Sequence, residues 1–349
     1  MLFGDRDVDD FHDVFRCVNA ANGETIWEVT RLAIGALDYG NSPRATPLIV
    51  GNRVYFLGAL GNLLCIRIAD GEVLWERNLH DDFQPAGELP WGYCGSPLYV
   101  DGKVIVNPGA EQASLVALQA DSGEVVWTTP GEAPSYGSLI ACELGGRRQI
   151  VGHDSVSLGG WDVETGQRLW TVTPVAPGDF NVPTPLIYHG RLLITTENNG
   201  TRLFGFKDNG QINPQPEATC DRLRPDMCTP VVVGNRLFCV KDFLFCLDLS
   251  VANPAESSES QQALSKAGLK EQWRIRDPAI GDYAALIASE DRLLIIGEGE
   301  LLLLNTDGSK TILSRQSVFT DKLPLYSHPA IVGNRLYLRG ETQLICIEL

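Results

Sequence analysis

The chain has 349 residues, and 44% of them are hydrophobic, which is enough apolar sequence for one large domain or two average ones. Acidic residues outnumber basic ones by 44 to 28, giving a net charge of −16. We expect no nucleic-acid partner, because neutralising phosphates needs a basic surface. No apolar run reaches the roughly 18 residues of a membrane-spanning helix, so no membrane span is predicted.

The first predicted element is a β-hairpin in the segment CVNAANGETIW, residues 17–27. Its Asn22-Gly23 pair readily adopts the positive φ angles of a tight hairpin turn. Three similar hairpins follow, within CIRIADGEVLW, ALQADSGEVVW and GWDVETGQRLW. In every copy a turn glycine lies four residues before a tryptophan, and a small residue lies ten before it. This constant spacing predicts a structural repeat.

A second element consists of a short apolar strand, a turn and another strand. It first occurs as TPLIVGNRVYF from residue 46, and six variants follow along the chain. The seven copies recur at a mean interval of about 47 residues, which is typical of propeller blades. Together with the hairpins, they predict units of four short strands and almost no helix.

We predict an all-β, eight-bladed β-propeller of four-stranded antiparallel blades, forming one domain over residues 1–349. The opening hairpin precedes all seven inner strands, so the first blade is expected to be incomplete, with an open seam and a missing true start. The alternative is a seven-bladed ring in which the strand around Trp27 completes the last blade. A polar, Ser- and Gln-rich insertion at residues 251–272 is predicted to be an exposed loop.

The repeated tryptophans are predicted to be structural, because blades packed face to face need large flat side chains beside small residues. The predicted docking residues are Trp27, Trp75, Trp127, Trp170 and Trp273. Four cysteines occupy the small-residue position and are expected to be buried apolar residues, namely Cys17, Cys65, Cys246 and Cys346. Two disulfide pairings stay open, Cys220 with Cys228 and Cys239 with Cys246.

The segments ADSGEVVW and VETGQRLW resemble the tryptophan-docking repeat of the PQQ-like β-propeller superfamily. The resemblance covers essentially the whole chain. Members of this superfamily include quinoprotein alcohol and glucose dehydrogenases and a propeller lipoprotein of outer-membrane β-barrel assembly. The resemblance therefore implies the fold, while function has to be argued from the site.

No catalytic or metal-binding residues are predicted. The five histidines are scattered without metal-ligand spacing, and no motif for a nucleophile or a phosphate loop occurs. The dehydrogenases of the superfamily carry adjacent cysteines beside PQQ, a calcium ion and a catalytic Asp, and this chain has no Cys-Cys pair. We expect no cofactor. The first alternative function is an oxidoreductase that binds PQQ with calcium. The second is a ligand-sensing module of a signalling system.

The loops that enter the inner strands carry large polar and aromatic residues, which are expected to line one mouth of the propeller channel. The candidate residues are Arg44, Trp91, Tyr93, Tyr136, Asn181, Arg224, Tyr283, Tyr326 and His328. Such side chains suit a protein, peptide or glycan partner. The alternative is a purely structural role in capping strand ends.

The sequence thus favours a non-catalytic binding or assembly scaffold, and we expect a monomer. The superfamily resemblance implies a periplasmic or other cell-envelope location for a full-length parent. No basic segment leading into an apolar one occurs at the start of the sequence, so a cytoplasmic location is expected if that start is genuine.

Overall fold

The computed structural model describes residues 1–250, 268–281, 283–320 and 325–349. Two units, Met1–Pro174 and Val175–Leu349, divide the chain at its middle. Most of the predicted insertion, residues 251–267, lies outside the described residues. Its last three residues, 270–272, belong to a β-strand.

The first unit contains four antiparallel sheets whose strands pair in chain order. The first sheet has three strands, β1 (Leu2–Arg6), β2 (His12–Val18) and β3 (Thr25–Leu32). The second has β4 (Leu48–Val50), β5 (Arg53–Leu57), β6 (Asn62–Arg67) and β7 (Val73–Asn78). The third has β8 (Leu98–Val100), β9 (Lys103–Val106), β10 (Leu115–Gln119) and β11 (Val125–Thr129). The fourth has β12 (Ile140–Leu144), β13 (Arg147–His153), β14 (Leu158–Asp162) and β15 (Arg168–Val172).

The second unit repeats this arrangement with four more sheets. The fifth sheet has β16 (Leu186–Tyr188), β17 (Arg191–Thr196), β18 (Gly200–Phe204) and β19 (Ala218–Cys220). The sixth has β20 (Val231–Val233), β21 (Arg236–Lys241), β22 (Phe243–Asp248) and β23 (Lys270–Ile275). The seventh has β24 (Ala285–Ala288), β25 (Arg292–Gly297), β26 (Glu300–Asn305) and β27 (Ile312–Ser317). The eighth has three strands, β28 (Ala330–Val332), β29 (Arg335–Arg339) and β30 (Leu344–Glu348).

Within the described ranges, the one helix is the short α1 (Leu79–Phe83). The side chain of Asn78 caps it by accepting hydrogen bonds from the backbone of His80 and Asp81 at 3.0 and 3.1 Å. The all-β prediction and the prediction of eight blades are confirmed.

The seven-bladed alternative is wrong because the strand that contains Trp27 belongs to a sheet of its own. β3 pairs with β2 along its length, from His12 opposite Leu32 to Val18 opposite Thr25, and β2 pairs in turn with β1. This first sheet has three strands, as expected for an incomplete blade.

The spacing of the small residue and the tryptophan follows from strand register. Cys17 lies directly opposite Trp27 across the β2–β3 hairpin, and a bulge follows immediately after the cysteine. The same pairing recurs as Cys65 with Trp75, Ala117 with Trp127, Gly160 with Trp170 and Cys246 with Trp273. A small partner leaves room for the indole on that face of the sheet.

The turn glycine of one sheet packs against the tryptophan of the preceding sheet. Gly71 has a φ of +79°, and a Cβ there would lie 2.8 Å from the indole of Trp27. Nε1 of Trp27 donates to the carbonyl oxygen of Ile68, three residues before this glycine, at 2.7 Å. Trp75 repeats both contacts at Gly123 and Ala120, and Trp127 repeats them at Gly166 and Val163.

The other two tryptophans keep a buried ring and use different acceptors. Nε1 of Trp273 donates to the carbonyl oxygen of Gly308 at 2.5 Å. Nε1 of Trp170 donates to Oε1 of Gln149, in its own sheet, at 2.6 Å. All five rings are less than 10% exposed, which is consistent with a core role.

The cysteines at the repeat position differ in burial. Cys17, Cys65 and Cys246 are at most 6% exposed and behave as small apolar core residues. Cys346 on β30 is exposed, because no strand of the described residues pairs with that edge of the eighth sheet. The expectation that Cys346 is buried is therefore wrong.

Candidate functional site

The loops that precede β4, β8 and β12 in the first unit bring together an arginine, a tryptophan, a cysteine and a tyrosine. Arg44 lies four residues before β4, Tyr136 lies four residues before β12, and Trp91 lies in the loop that leads to β8. The rings of Trp91 and Tyr136 meet edge to face, with centroids 4.7 Å apart. We call Arg44, Trp91, Cys94 and Tyr136 the unit 1 cluster.

The arginine of the unit 1 cluster is held by backbone oxygens. Nη2 of Arg44 donates to the carbonyl oxygens of Asp38 and Gly40, at 2.5 and 2.7 Å. These two bonds fix the guanidinium beside Cys94 and Tyr136. Its positive charge lowers the pKa of both groups and so offsets part of the increase that burial causes. The cluster thus presents a fixed cation next to two aromatic rings.

The cysteine and the tyrosine of the unit 1 cluster are neutral at physiological pH. Burial raises the pKa of Tyr136 to about 12, and the neighbouring Cys94 adds to this shift. Burial also raises the pKa of Cys94, whose thiol donates to the carbonyl oxygen of Trp91 at 3.3 Å. A thiol in this state is a poor nucleophile, so the arrangement suits binding better than covalent chemistry.

Tyr93 belongs to the core. Its side chain is 4% exposed, and its ring packs in the same cluster as Leu79 and Ala110. Its hydroxyl is buried without a hydrogen-bond partner among the described residues, and so is Oδ1 of Asn107. Both residues line a cavity of about 20 Å³, which is room for about one water molecule. Tyr93 therefore offers no surface to a large partner.

In the second unit, the exposed Tyr326 packs against Tyr283. Their rings meet edge to face with centroids 4.8 Å apart. Tyr326 is 65% exposed, whereas Tyr283 is half-buried and supports it. His328, two residues further along the same loop, is also exposed. We call Tyr283, Tyr326 and His328 the unit 2 cluster.

Two further candidates of the second unit have different surroundings. Asn181 is 5% exposed, has a φ of +55°, and donates to the carbonyl oxygen of Asp179 at 3.1 Å. These features are typical of a residue that shapes a turn. Arg224 is exposed, and its Nε donates to the carbonyl oxygen of Asp221 at 2.7 Å.

Sequence reasoning did not select Cys94, which lies between the aromatic and cationic members of the unit 1 cluster. The sequence clue to it is the segment WGYCGSP, in which the cysteine follows two aromatic residues. Its residue type alone gives no such clue, because most cysteines of this chain are core residues.

Across the described ranges, no three His, Cys, Asp or Glu residues come together in a way that could hold a metal ion. No helix of those ranges is both long and apolar enough to cross a membrane.

Comparison with known proteins gives a family match over more than half of the chain. Residues 10–213 match the family described as outer membrane protein assembly factor BamB. The assembly factor BamB of Shewanella oneidensis is 22% identical over 371 residues, which cover 93% of this chain and 88% of that protein. The quinohaemoprotein alcohol dehydrogenase ADH-IIG of Pseudomonas putida is 27% identical over 157 residues, or 42% of this chain.

The structural comparison agrees on the fold. The crystal structure of BamB from Moraxella catarrhalis superimposes with a TM-score of 0.62 at 15% identity, covering 99% of this chain and 90% of that one. The match to the alcohol dehydrogenase spans only 21% of that enzyme's length. The fold is that of an eight-bladed, PQQ-like β-propeller.

Proposed function

The chain belongs to the family described as outer membrane protein assembly factor BamB, and we propose that it is a non-catalytic scaffold that binds protein partners in the cell envelope. The observation that carries the proposal is the packing of the exposed Tyr326 against Tyr283. An exposed tyrosine supported by a second ring loses little side-chain entropy when it is covered, and tyrosine is enriched among residues that dominate binding energy.

The unit 1 cluster is proposed as a second contact. Trp91 and Tyr136 supply apolar area with polar edges, and Arg44 supplies a cation already fixed by two backbone oxygens. Tryptophan, tyrosine and arginine are the three residue types most enriched in binding hot spots. Tyr136 keeps its proton at neutral pH, so its hydroxyl is a donor as well as an acceptor of hydrogen bonds.

The other candidates of the predicted channel mouth receive smaller roles in this proposal. Arg224 and His328 lie at exposed positions where they could contact the rim of a partner. Tyr93 and Asn181 are nearly completely buried, so we assign them to the support of their loops. Substitution of a charged rim residue such as Arg224 is therefore expected to change mainly the rate of association.

A PQQ-dependent oxidoreductase is the second candidate, favoured by the match over 157 residues to a quinohaemoprotein alcohol dehydrogenase. The residues present do not fit that cofactor set. Adjacent cysteines are absent from the sequence, and the described part of the chain provides no carboxylate-rich donor cluster for a calcium ion. We therefore derive no reaction step. Reduction of a dye by the purified protein with PQQ, calcium and an alcohol would favour this candidate over the scaffold.

The scaffold proposal is tested by site-specific photo-crosslinking in cells of the native host. A benzophenone amino acid replaces Tyr326 in one strain and Ile26 in a control strain, because Ile26 on β3 is similarly exposed, at 58%, and belongs to neither cluster. We expect position 326 to give an adduct with a protein of outer-membrane assembly, and position 26 to give none. Equal adducts at both positions, or adducts only with unrelated proteins, would contradict the proposal.

A further inference from the structure

Two cysteines of the second unit meet in its core although they lie on different elements. Cys228 belongs to the loop between β19 and β20, and Cys239 lies on β21. The thiol of Cys239 donates to the backbone oxygen of Cys228 at 3.4 Å. The two residues are 4% and 0% exposed. Both are thiols in this structure.

The side chains of this pair also contact each other. The two thiols share a hydrogen bond, which lowers the pKa of Cys228, while burial raises the pKa of Cys239. Because the two thiols already contact each other in the core, joining them calls only for a local rearrangement of the two cysteines.

We propose that Cys228 and Cys239 form a disulfide under oxidising conditions, and that this bond ties the loop carrying Arg224 to strand β21. The strand register disfavours the pairing of Cys239 with Cys246 that the sequence leaves open. Cys239 lies opposite Phe245, whereas Cys246 lies opposite Phe238, so Cys239 and Cys246 point to opposite faces of the β21–β22 hairpin. Cys246 faces Trp273 instead.

The reaction is thiol–disulfide exchange with a small disulfide such as oxidised glutathione. The Cys228 thiolate attacks one sulfur of the oxidant, forming a mixed disulfide and releasing one glutathione thiol. The Cys239 thiol then loses its proton and attacks the Cys228 sulfur, releasing the second glutathione thiol. Two protein thiols are thus oxidised while one disulfide is reduced to two thiols. Brief local opening of the loop gives the oxidant access to Cys228.

The disulfide would reinforce a contact that already joins the same two segments. Nζ of Lys241 on β21 forms an ion pair with Asp226 in the loop, at 2.7 Å. An ion pair of this kind, with both side chains partly exposed, holds the loop weakly. A covalent bond two residues away would restrict the loop that presents Arg224 and leave the exposed guanidinium in place.

The pairing can be read directly from peptide masses. Trypsin cuts after Arg222, Arg236 and Lys241, and the Arg224-Pro225 bond resists it, so Cys220, Cys228, Cys239 and Cys246 fall on four different peptides. The protein is equilibrated with oxidised or reduced glutathione, its remaining thiols are blocked with N-ethylmaleimide, and it is digested without reductant. We expect a species joining residues 223–236 to residues 237–241 in the oxidised sample alone. The number of free thiols should fall from the nine of the sequence by two.

The variants provide matched controls. Cys228→Ser and Cys239→Ser should each abolish the joined species, whereas Cys220→Ser and Cys246→Ser should leave it intact. If a variant does not fold, the digest of the wild-type protein is sufficient by itself to show whether Cys228 and Cys239 are joined. Absence of the joined species at every glutathione ratio, or a link that involves the peptide of Cys220 or of Cys246, would overturn the proposal.

Discussion

Trp27 lies against Gly71 so closely that a Cβ on the glycine would be 2.8 Å from the indole ring. Trp27 lies on the second strand of one hairpin, and Gly71 lies in the turn of the equivalent hairpin of the next sheet. The second and third sheets each repeat this arrangement, because Trp75 lies against Gly123 and Trp127 lies against Gly166. This relationship makes stability sensitive to a change that adds a single methyl group.

Gly71→Ala should destabilise the first unit more than Gly23→Ala does. The two glycines occupy the same turn position with φ of +79° and +78°, but a Cβ at Gly23 would meet no atom within 4 Å. Backbone strain is therefore common to both variants, and the clash with Trp27 is specific to Gly71. We expect the clash to cost about 2 kcal/mol more in the free energy of unfolding, measured by urea denaturation. Equal effects of the two substitutions would show that the contact contributes nothing.

Enlarging the residue opposite a docked tryptophan should also destabilise the protein. Cys65 is fully buried between Tyr55 and Trp75, so Cys65→Leu should lower the free energy of unfolding by about 2 kcal/mol through overpacking. Cys346 occupies the same repeat position but is exposed, so Cys346→Leu should change it by less than about 0.5 kcal/mol. Thermal unfolding of both variants measures the difference, and a reversal of this order would contradict the assignment of Cys346.

Tyr136 should ionise at a higher pH than an ordinary tyrosine side chain does. Its pKa in the folded protein is raised to about 12 from the ordinary 10.0. The folded state therefore retains a proton that the unfolded state releases, and this contribution to stability falls as pH rises from about 10 to about 12. The difference in unfolding free energy between wild type and Tyr136→Phe should decline across this window. A pH-independent difference would mean that Tyr136 ionises as an exposed phenol does.

Tyr326→Ala should weaken partner binding without changing stability. The side chain is 65% exposed, so its removal should alter the unfolding free energy by less than about 0.5 kcal/mol. If it anchors a partner, the dissociation constant should rise by roughly tenfold or more. Ile26→Ala is the control, since Ile26 on β3 is similarly exposed, at 58%, and belongs to neither cluster. Surface plasmon resonance with the crosslinked partner measures both, and a loss of affinity in Ile26→Ala alone would contradict the site.

The sheets could be predicted because the interactions that specify them are local. An Asn-Gly turn and a tryptophan ten residues after a small side chain are both set by the geometry of one hairpin, and Cys17 indeed lies opposite Trp27. The count of eight blades followed from these repeats, since the opening hairpin forms a sheet of its own.

The candidate site was less predictable, because residues at matching loop positions have different surroundings. Tyr93 and Tyr326 precede their inner strands in the same way, yet Tyr93 is 4% exposed and Tyr326 is 65% exposed. The loop of Tyr93 folds back over Ala59, to whose carbonyl oxygen the Tyr93 backbone donates at 2.9 Å. Sequence spacing contains no information on such a contact.

The sequence alone determined the strands, their turns and the number of sheets, because period and turn chemistry act within a few dozen residues. The tertiary structure alone decided which glycine receives each indole, which cysteine lies beside Cys228, and which aromatic residues stay on the surface. These outcomes depend on packing between segments far apart in the chain, where a single neighbour decides whether a side chain is buried or exposed.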